Sequence, residues 1–185
     1  MNTKTIIPII CALAALPACA DKPENNYTVY VDPAFDSATQ QVILDGLNNW
    51  QTRVWNTGHM LWLNPIIGTH DCSHGCDDII VIHASNMAAV AALAHDSDGD
   101  GPDGITFRSW REDPTTGHYW DWSNVFLAAD MRQSDIHNIV LHEVGHALAL
   151  QHTPPGQIMC WSTECESADI TQDDINQYLT LRGEK

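Results

Sequence analysis

Three histidines and one glutamate near the carboxyl end of the chain have the types and spacing of a catalytic metal site. His142, Glu143 and His146 form the pattern H-E-x-x-H, and His152 follows six residues after His146. Residues four apart lie on one face of a helix, so His142 and His146 can bind one metal ion, and Glu143 can reach a water on it. Zinc with three protein ligands and one open position is catalytic rather than structural. The pattern therefore predicts zinc bound by His142, His146 and His152.

His152 can join this site only if the helix ends before it. On a continuous helix, the ten residues from His142 to His152 would turn the third histidine well away from the other two. We therefore expect the chain to leave the helix after about Leu148. Pro154 and Pro155 exclude any further helix beyond that point.

The elements that must position these residues are visible as periodic patterns. Apolar residues at helical spacing predict a long helix that is capped by Asp36 or Ser37 and ends near Trp55. Ser134 or Asp135 is the predicted N-cap of the metal-binding helix. Alternating or continuous apolar stretches predict strands at residues 27–31, 60–63, 78–83, 105–107 and 125–129.

The run 142–152 resembles the metzincin signature H-E-x-x-H-x-x-G-x-x-H and is most similar to its matrixin type. Residues 157–160, Gln-Ile-Met-Cys, resemble the Met-containing turn of that family, and residues 170–175 resemble the start of its last helix, which would run to about Leu181. The resemblance implies an α+β, zincin-like catalytic domain. Its sheet would be twisted and mostly parallel with an antiparallel edge strand, accompanied by two long helices and a C-terminal helix.

The same resemblance implies a zinc-dependent endopeptidase that hydrolyses peptide bonds in proteins. Glu143 would be the general base for a zinc-activated water, and Met159 a structural residue beneath the metal rather than a ligand. A protein or peptide substrate would lie extended along an edge strand, for which residues 121–129 are the candidate. The alternative is a non-catalytic envelope lipoprotein that binds a partner and holds a structural zinc. Glu143 disfavours it, because a structural site does not need that carboxylate.

One position departs from the family signature. Ala149 stands where the signature has Gly, and a left-handed conformation there would cost alanine about 1–2 kcal/mol. We therefore expect either backbone strain at Ala149 or a displaced turn before His152.

A second, structural zinc site of the matrixin type is only partly recognisable. Residues 93–95, Leu-Ala-His, resemble one part of it. Its candidate ligands are His70, His74, His83 and His95. The alternative is that these four are ordinary surface or core histidines.

The first 18 residues predict an export signal. Lys4 precedes an apolar run at residues 6–16 that is too short to span a bilayer comfortably. The residues before Cys19 resemble a bacterial lipoprotein signal, with cleavage before Cys19 and lipid on its thiol; an ordinary secretory signal is the alternative. Residues 19–26 would form a tether and residues 27–185 the catalytic domain. The expected location is the bacterial cell envelope as a lipoprotein, or outside the cell.

Export makes the remaining cysteines candidates for disulfides. Four cysteines allow three pairings, and proximity in sequence favours Cys72 with Cys76 and Cys160 with Cys165. A zinc site formed by all four is the competing interpretation. Their spacing disfavours it, because they do not form two close Cys-x-x-Cys pairs.

Composition limits the possible partners. The formal net charge is −16, from 24 acidic and 8 basic residues, which argues against nucleic-acid binding. The same charge gives no attraction to anionic lipid, so the only membrane contact we expect is the N-terminal lipid anchor. We expect a monomer.

An acidic loop offers a possible calcium site. Asp96, Asp98 and Asp100 alternate as in the first half of a calcium-binding loop. Phe107 stands where such a loop would need a bidentate glutamate, so a full EF-hand is not expected. A simpler calcium loop and a solvated turn are the two alternatives.

Overall fold

The computed structural model describes residues 25–72, 76–95, 104–112, 119–160 and 169–183. In chain order its elements are β1 (Asn26–Val31), α1 (Ser37–Trp55), β2 (Trp62–Ile67), β3 (Asp77–Ser85), α2 (Met87–His95), β4 (Gly104–Glu112), β5 (Tyr119–Ala128), α3 (Gln133–Ala147) and α4 (Gln172–Leu181). This order confirms the α+β class. The predicted signal, Cys19 and most of the predicted tether lie outside the described residues.

The strands form one sheet in the order β2-β1-β3-β5-β4. β1 pairs in parallel with both β2 and β3, and β3 pairs in parallel with β5. β4 pairs antiparallel with β5 and lies at the edge. The sheet is therefore mostly parallel with one antiparallel edge strand, as the resemblance implied.

The prediction that residues 121–129 form the edge strand along which the substrate lies is wrong. β5 covers most of it and lies inside the sheet between β3 and β4, so its backbone is paired on both sides. Its side chains explain this position. Val125 and Leu127 are buried on one face, while Phe126 packs on the other, and strands that are apolar on both faces belong in a sheet interior.

Several other boundaries differ from the predictions, and the antiparallel pair β4 and β5 is much longer than the predicted strands at 105–107 and 125–129. β2 begins at Trp62 and continues through Pro65 to Ile67, beyond the predicted residues 60–63. Proline is tolerated there because β2 is the other edge strand, so a residue without an N–H need not remove a hydrogen bond between strands. α3 begins at Gln133, earlier than predicted, and Arg132 occupies its N-cap position without a side-chain capping hydrogen bond. Asp135 therefore lies in the first turn of α3 and not at its N-cap.

α1 supports α3, the helix that carries His142 and His146. Asp36 caps it by accepting a hydrogen bond from the Thr39 N–H at 2.7 Å, as one of the two predicted caps. Its buried face crosses α3 closely at Gly46, where an added Cβ would lie 2.6 Å from Val140 Cγ1. The buried indole of Trp50 donates to the carbonyl of Leu141 at 2.9 Å. The main core therefore holds α3 against α1 on one face of the sheet.

The opposite face of the sheet carries smaller apolar clusters. One contains the disulfide between Cys72 and Cys76, which is one of the two pairings favoured by proximity, packed on Val81. Another joins Val90 of α2 to Ile105 of β4. Among the described residues, no helix is long and apolar enough to cross a membrane.

Candidate metal centre

The side chains of His142, His146 and His152 converge on one point. The Nε2 atom of His146 lies 3.1 Å from that of His142 and 3.1 Å from that of His152. All three ligand atoms lie within 4.8 Å of one another. The sequence places two of these residues on α3 and the third five residues after its end.

Main-chain carbonyls set the tautomers of the first two histidines. Nδ1 of His142 lies 2.7 Å from the carbonyl oxygen of Ile158, and Nδ1 of His146 lies 2.9 Å from that of Leu150. A carbonyl can only accept, so each Nδ1 carries the proton and each Nε2 presents a lone pair. Lone pairs facing one another at this distance repel unless a cation lies between them.

The donor set fits zinc. Zn–N bonds of about 2.0–2.1 Å in tetrahedral geometry separate the nitrogens by about 3.3 Å, close to the 3.1 Å between the paired Nε2 atoms. Three neutral imidazoles are among the ligands that zinc prefers in catalytic sites. These residues can therefore hold Zn²⁺ without rearrangement of the helix.

The turn that brings His152 back is built at Ala149. Ala149 has a positive φ of 80°, which is the backbone strain expected where the family signature has Gly. The Ala149 N–H donates to the carbonyl of His146 at 2.9 Å, and the Leu150 N–H donates to that of Gly145 at 3.0 Å. This pair of bonds is a Schellman motif, in which the left-handed residue ends the helix. The turn is strained and not displaced.

Glu143 is buried beside the histidines, with 1 % of its surface exposed. The hydroxyl of Thr106 lies 2.7 Å from its Oε2 and 3.0 Å from its carbonyl oxygen. Thr106 belongs to β4, so a residue of the edge strand contacts the carboxylate directly. Nothing in the local sequence around Thr106 signals this role, and the sequence interpretation missed it.

Met159 forms the floor of the centre. It is fully buried, and its sulfur packs against Gly145 of α3, where an added Cβ would lie only 2.3 Å away. The Met159 carbonyl accepts a hydrogen bond from the Thr153 N–H at 2.9 Å. The turn at residues 157–160 therefore fixes both α3 and the segment that carries His152.

A buried aspartate ties this turn to the last helix. Asp174 accepts hydrogen bonds from the Ile158 N–H at 3.3 Å and from the N–H and hydroxyl of Thr171 at 2.8 and 2.6 Å. Thr171 and Asp174 form a capping box at the start of α4. The Thr-x-x-Asp spacing is the signal that could have singled out Asp174 in the sequence. Through Ile158, Asp174 supports the carbonyl that orients His142.

The other predicted ligands are not gathered at a second histidine site within the described residues. His70 stacks on Tyr30 with ring centroids 4.4 Å apart, and His83 Nε2 lies 3.0 Å from Asn124 Oδ1. His74 and the side chain of His95 lie outside the described part of the chain. The calcium candidates Asp96, Asp98 and Asp100 also lie outside it.

The alternative zinc site made of four cysteines is wrong. Cys72 and Cys76 are joined to each other, and Cys160 is also disulfide-bonded. The ligand atoms of His70, Cys72 and Cys76 do lie within 4.8 Å of one another. A disulfide sulfur, however, has no thiolate charge with which to hold a metal. Cys165, the predicted partner of Cys160, lies outside the described residues.

Comparison with known proteins connects this geometry to a family. A sequence model described as matrixin matches residues 36–183. Among solved structures, a similar one is high choriolytic enzyme 1, a hatching enzyme zinc-protease from the medaka fish Oryzias latipes. It has 10 % sequence identity and a TM-score of 0.46, over 86 % of this chain and 90 % of that chain. A search of curated proteins gave no match.

Proposed function

Because this chain belongs to the matrixin family of zinc metalloproteases, we propose that it is an endopeptidase with its catalytic centre on α3. In this proposal His142, His146 and His152 hold Zn²⁺ through Nε2, and Glu143 is the general base. The substrate is an internal peptide bond of a protein or peptide.

The convergence of the three Nε2 atoms is the observation that carries this proposal. Two of the rings are held by carbonyl acceptors on Nδ1, so their lone pairs point at the common centre. A structural zinc site, which only stabilises the fold, does not need a buried carboxylate next to two of its ligands. Glu143 is such a carboxylate, and a hydroxyl holds it in place.

The chemistry divides between the metal and the protein. When bound, Zn²⁺ lowers the pKa of a water toward about 7 and polarises a carbonyl group. Glu143 accepts a proton from the attacking water while the oxygen of that water forms a bond to the carbonyl carbon of the peptide. Glu143 then delivers that proton to the amine nitrogen as the C–N bond breaks, which returns the carboxylate to its starting form.

β4 is the proposed platform for the substrate. Within the described residues β4 pairs with β5 on one side, so its other edge can pair with an extended peptide. Thr106, the third residue of β4, contacts Glu143, so the start of the strand lies beside this carboxylate. β4 has two residues before Thr106 and six after it, so an extended peptide paired along the strand would pass Glu143 in both directions, which suits cleavage within a chain.

Export is part of the same proposal. Lys4, the apolar run at 6–16 and Cys19 support an envelope lipoprotein or a secreted protein. The Cys72–Cys76 disulfide adds independent support, because disulfides persist in oxidising compartments. Labelling with a fatty acid, compared between the native sequence and Cys19→Ser, tests the anchor. Lipid incorporation that is unchanged in Cys19→Ser would overturn the assignment.

The central test is digestion of an unfolded protein substrate, with zinc content measured on the same samples. We expect cleavage that stops with a chelator and returns with Zn²⁺. Glu143→Ala should keep zinc but lose at least about 100-fold in rate. His142→Ala should lose both zinc and activity.

His137→Ala is the matched control, because His137 lies on α3 five residues before His142 and outside the cluster. It should retain zinc and activity. A protein that carries one zinc yet cleaves nothing in a broad peptide library would favour the non-catalytic binding role instead. Cleavage that survives chelation, or full activity in Glu143→Ala, would refute the proposed mechanism.

A further inference from the structure

β4 presents two residues to Glu143 from the same face. Thr106 is in register with Val125, and Gly104 is in register with Leu127; both partners are buried on the side of the sheet that α3 covers. Residues two apart on a strand share a face. Thr106 and Gly104 therefore both point toward α3, while Ile105 between them packs with Val90 on the other side.

The hydroxyl of Thr106 serves the carboxylate. It has one proton and two acceptors within reach, Oε2 of Glu143 at 2.7 Å and the main-chain oxygen of the same residue at 3.0 Å. The contact with Oε2 is the shorter, and bonds to an ionised acceptor are the stronger ones. The hydroxyl thus donates mainly to the carboxylate. The second acceptor, the carbonyl oxygen of Glu143, holds the Thr106 hydroxyl close to the backbone of that residue.

Gly104 gives the carboxylate its space. A Cβ at position 104 would lie 2.8 Å from Cγ of Glu143, 2.9 Å from its Oε1 and 2.7 Å from Cγ2 of Ile139. These distances are shorter than carbon contacts allow. The strand can therefore approach Glu143 this closely only because residue 104 has no side chain.

We propose that Thr106 is a positioning residue for Glu143, and that β4 thereby sets the distance between the bound peptide and the general base. The inference rests on the proposed function, in which the outer edge of β4 pairs with the substrate. One strand would then align the peptide through its backbone and hold the base through the Thr106 hydroxyl. The role belongs to the hydroxyl, not to the bulk of the side chain.

A pair of substitutions separates these two parts of the side chain. Thr106→Val keeps the shape and removes the hydroxyl, and Thr106→Ser keeps the hydroxyl and removes the methyl group. We expect Thr106→Val to lower kcat by roughly 10- to 100-fold, the effect of losing a hydrogen bond to a charged group. KM should stay within about twofold and zinc content should be unchanged. Thr106→Ser should keep most of the wild-type kcat.

Thr180→Val is the control, because that hydroxyl also donates to a helix carbonyl, at 2.7 Å from the oxygen of Asn176, but lies on α4. It should leave kcat unchanged. Gly104→Ala keeps the hydroxyl but crowds the carboxylate, so it should lower kcat as well. Wild-type kcat in Thr106→Val, or equal losses in Thr106→Val and Thr106→Ser, would overturn the proposal.

A double-mutant cycle shows whether Thr106 acts through Glu143. In a Glu143→Ala background, measured at high enzyme concentration, Thr106→Val should have no further effect on the residual rate. A further loss of 10-fold or more would mean that Thr106 acts independently of Glu143. The two proposals can fail separately. A wild-type protein without peptidase activity would overturn both the proposed function and the role of Thr106. An active wild-type protein in which Thr106→Val has no effect would overturn only the role of Thr106.

Discussion

Met159 and Gly145 are in direct contact, with no room for even one methyl group between the Met-containing turn and α3. A Cβ at position 145 would lie 2.3 Å from the Met159 sulfur and 3.2 Å from the ring of Trp50. Both neighbours are fully buried, so neither can move away freely. This contact sets the distance between α3 and the turn whose Ile158 carbonyl orients His142.

Gly145→Ala is therefore expected to destabilise the protein and to weaken zinc binding. Overpacking costs about 1–3 kcal/mol, and alanine recovers up to about 1 kcal/mol in helix propensity. We expect a net loss of up to about 2 kcal/mol in the free energy of unfolding, measured by denaturant titration. Gly68→Ala is the control, because the nearest atom to its added Cβ is 4.0 Å away. Equal stability of the two variants would contradict this account of the contact.

Ala149→Gly should increase the free energy of unfolding, in contrast to Gly145→Ala. Glycine relieves about 1–2 kcal/mol of left-handed strain at this φ of 80°. The greater entropy that glycine gives the unfolded chain opposes this gain by about 0.4–1 kcal/mol. A net gain of up to about 1.6 kcal/mol in the free energy of unfolding is expected, with zinc content and peptidase activity retained. The same change at Ala91, an exposed position within α2, should instead cost up to about 1 kcal/mol. Thermal melting of both variants checks the sign, and destabilisation by Ala149→Gly would show that the turn is not strained.

Asp174→Ala tests the connection between α4 and the zinc site. The change removes the half of the capping box in which the Asp174 carboxylate accepts from Thr171, worth about 1 kcal/mol, and leaves the buried Ile158 N–H without its acceptor, at a cost of about 1–3 kcal/mol. We expect a total loss of about 2–4 kcal/mol and weaker zinc retention during dialysis. The neighbouring Asp173 is exposed, and Asp173→Ala should cost less than about 1 kcal/mol. Full zinc retention in Asp174→Ala would refute the proposed support of His142.

The pH dependence of stability should include a contribution from Asp169, which joins α1 to the segment before α4. Burial acts to raise the pKa of this carboxyl, but hydrogen bonds from Asn49 and the Ile170 N–H, together with Arg53, outweigh it and lower the pKa below its usual value. Because the pKa is lower in the folded state, the contribution is fully present above about pH 4. It is lost as pH falls through the folded pKa.

Asp169→Asn should accordingly be less stable than the wild-type protein at pH 7, and the difference should shrink below pH 4. The side chains of Arg53 and Asp169 are 43 % and 48 % exposed, so solvent screening limits the effect to less than about 1 kcal/mol. Thermal melts of both proteins at pH 7, 5, 4 and 3 measure this difference, in which the shared effect of zinc loss cancels. A difference that stays constant down to pH 3 would rule out this role for Asp169.

Local features of the chain were predictable because their causes lie within a few residues. Asp36 caps α1 through Thr39, three positions away, and α1 ends at Trp55 as its apolar spacing indicated. The spacing of His142 and His152 required the helix to end before His152, and the resemblance to the family signature indicated a left-handed residue at Ala149, which has a φ of 80°. By contrast, the start of α3 was misplaced, because Ser134 and Asp135 are good capping residues that the packed chain does not use as caps.

The amino-acid sequence by itself determined the donor set, since two histidines and a glutamate in H-E-x-x-H need only helical geometry to share a face. Tertiary structure decided which groups hold that set in place. Thr106 reaches Glu143 across 37 residues, and the Ile158 carbonyl reaches His142 across 16. It also decided that β4 and not β5 forms the edge. Such contacts depend on how a sheet and helices pack together, and no local periodicity or capping pattern records the packing of distant segments.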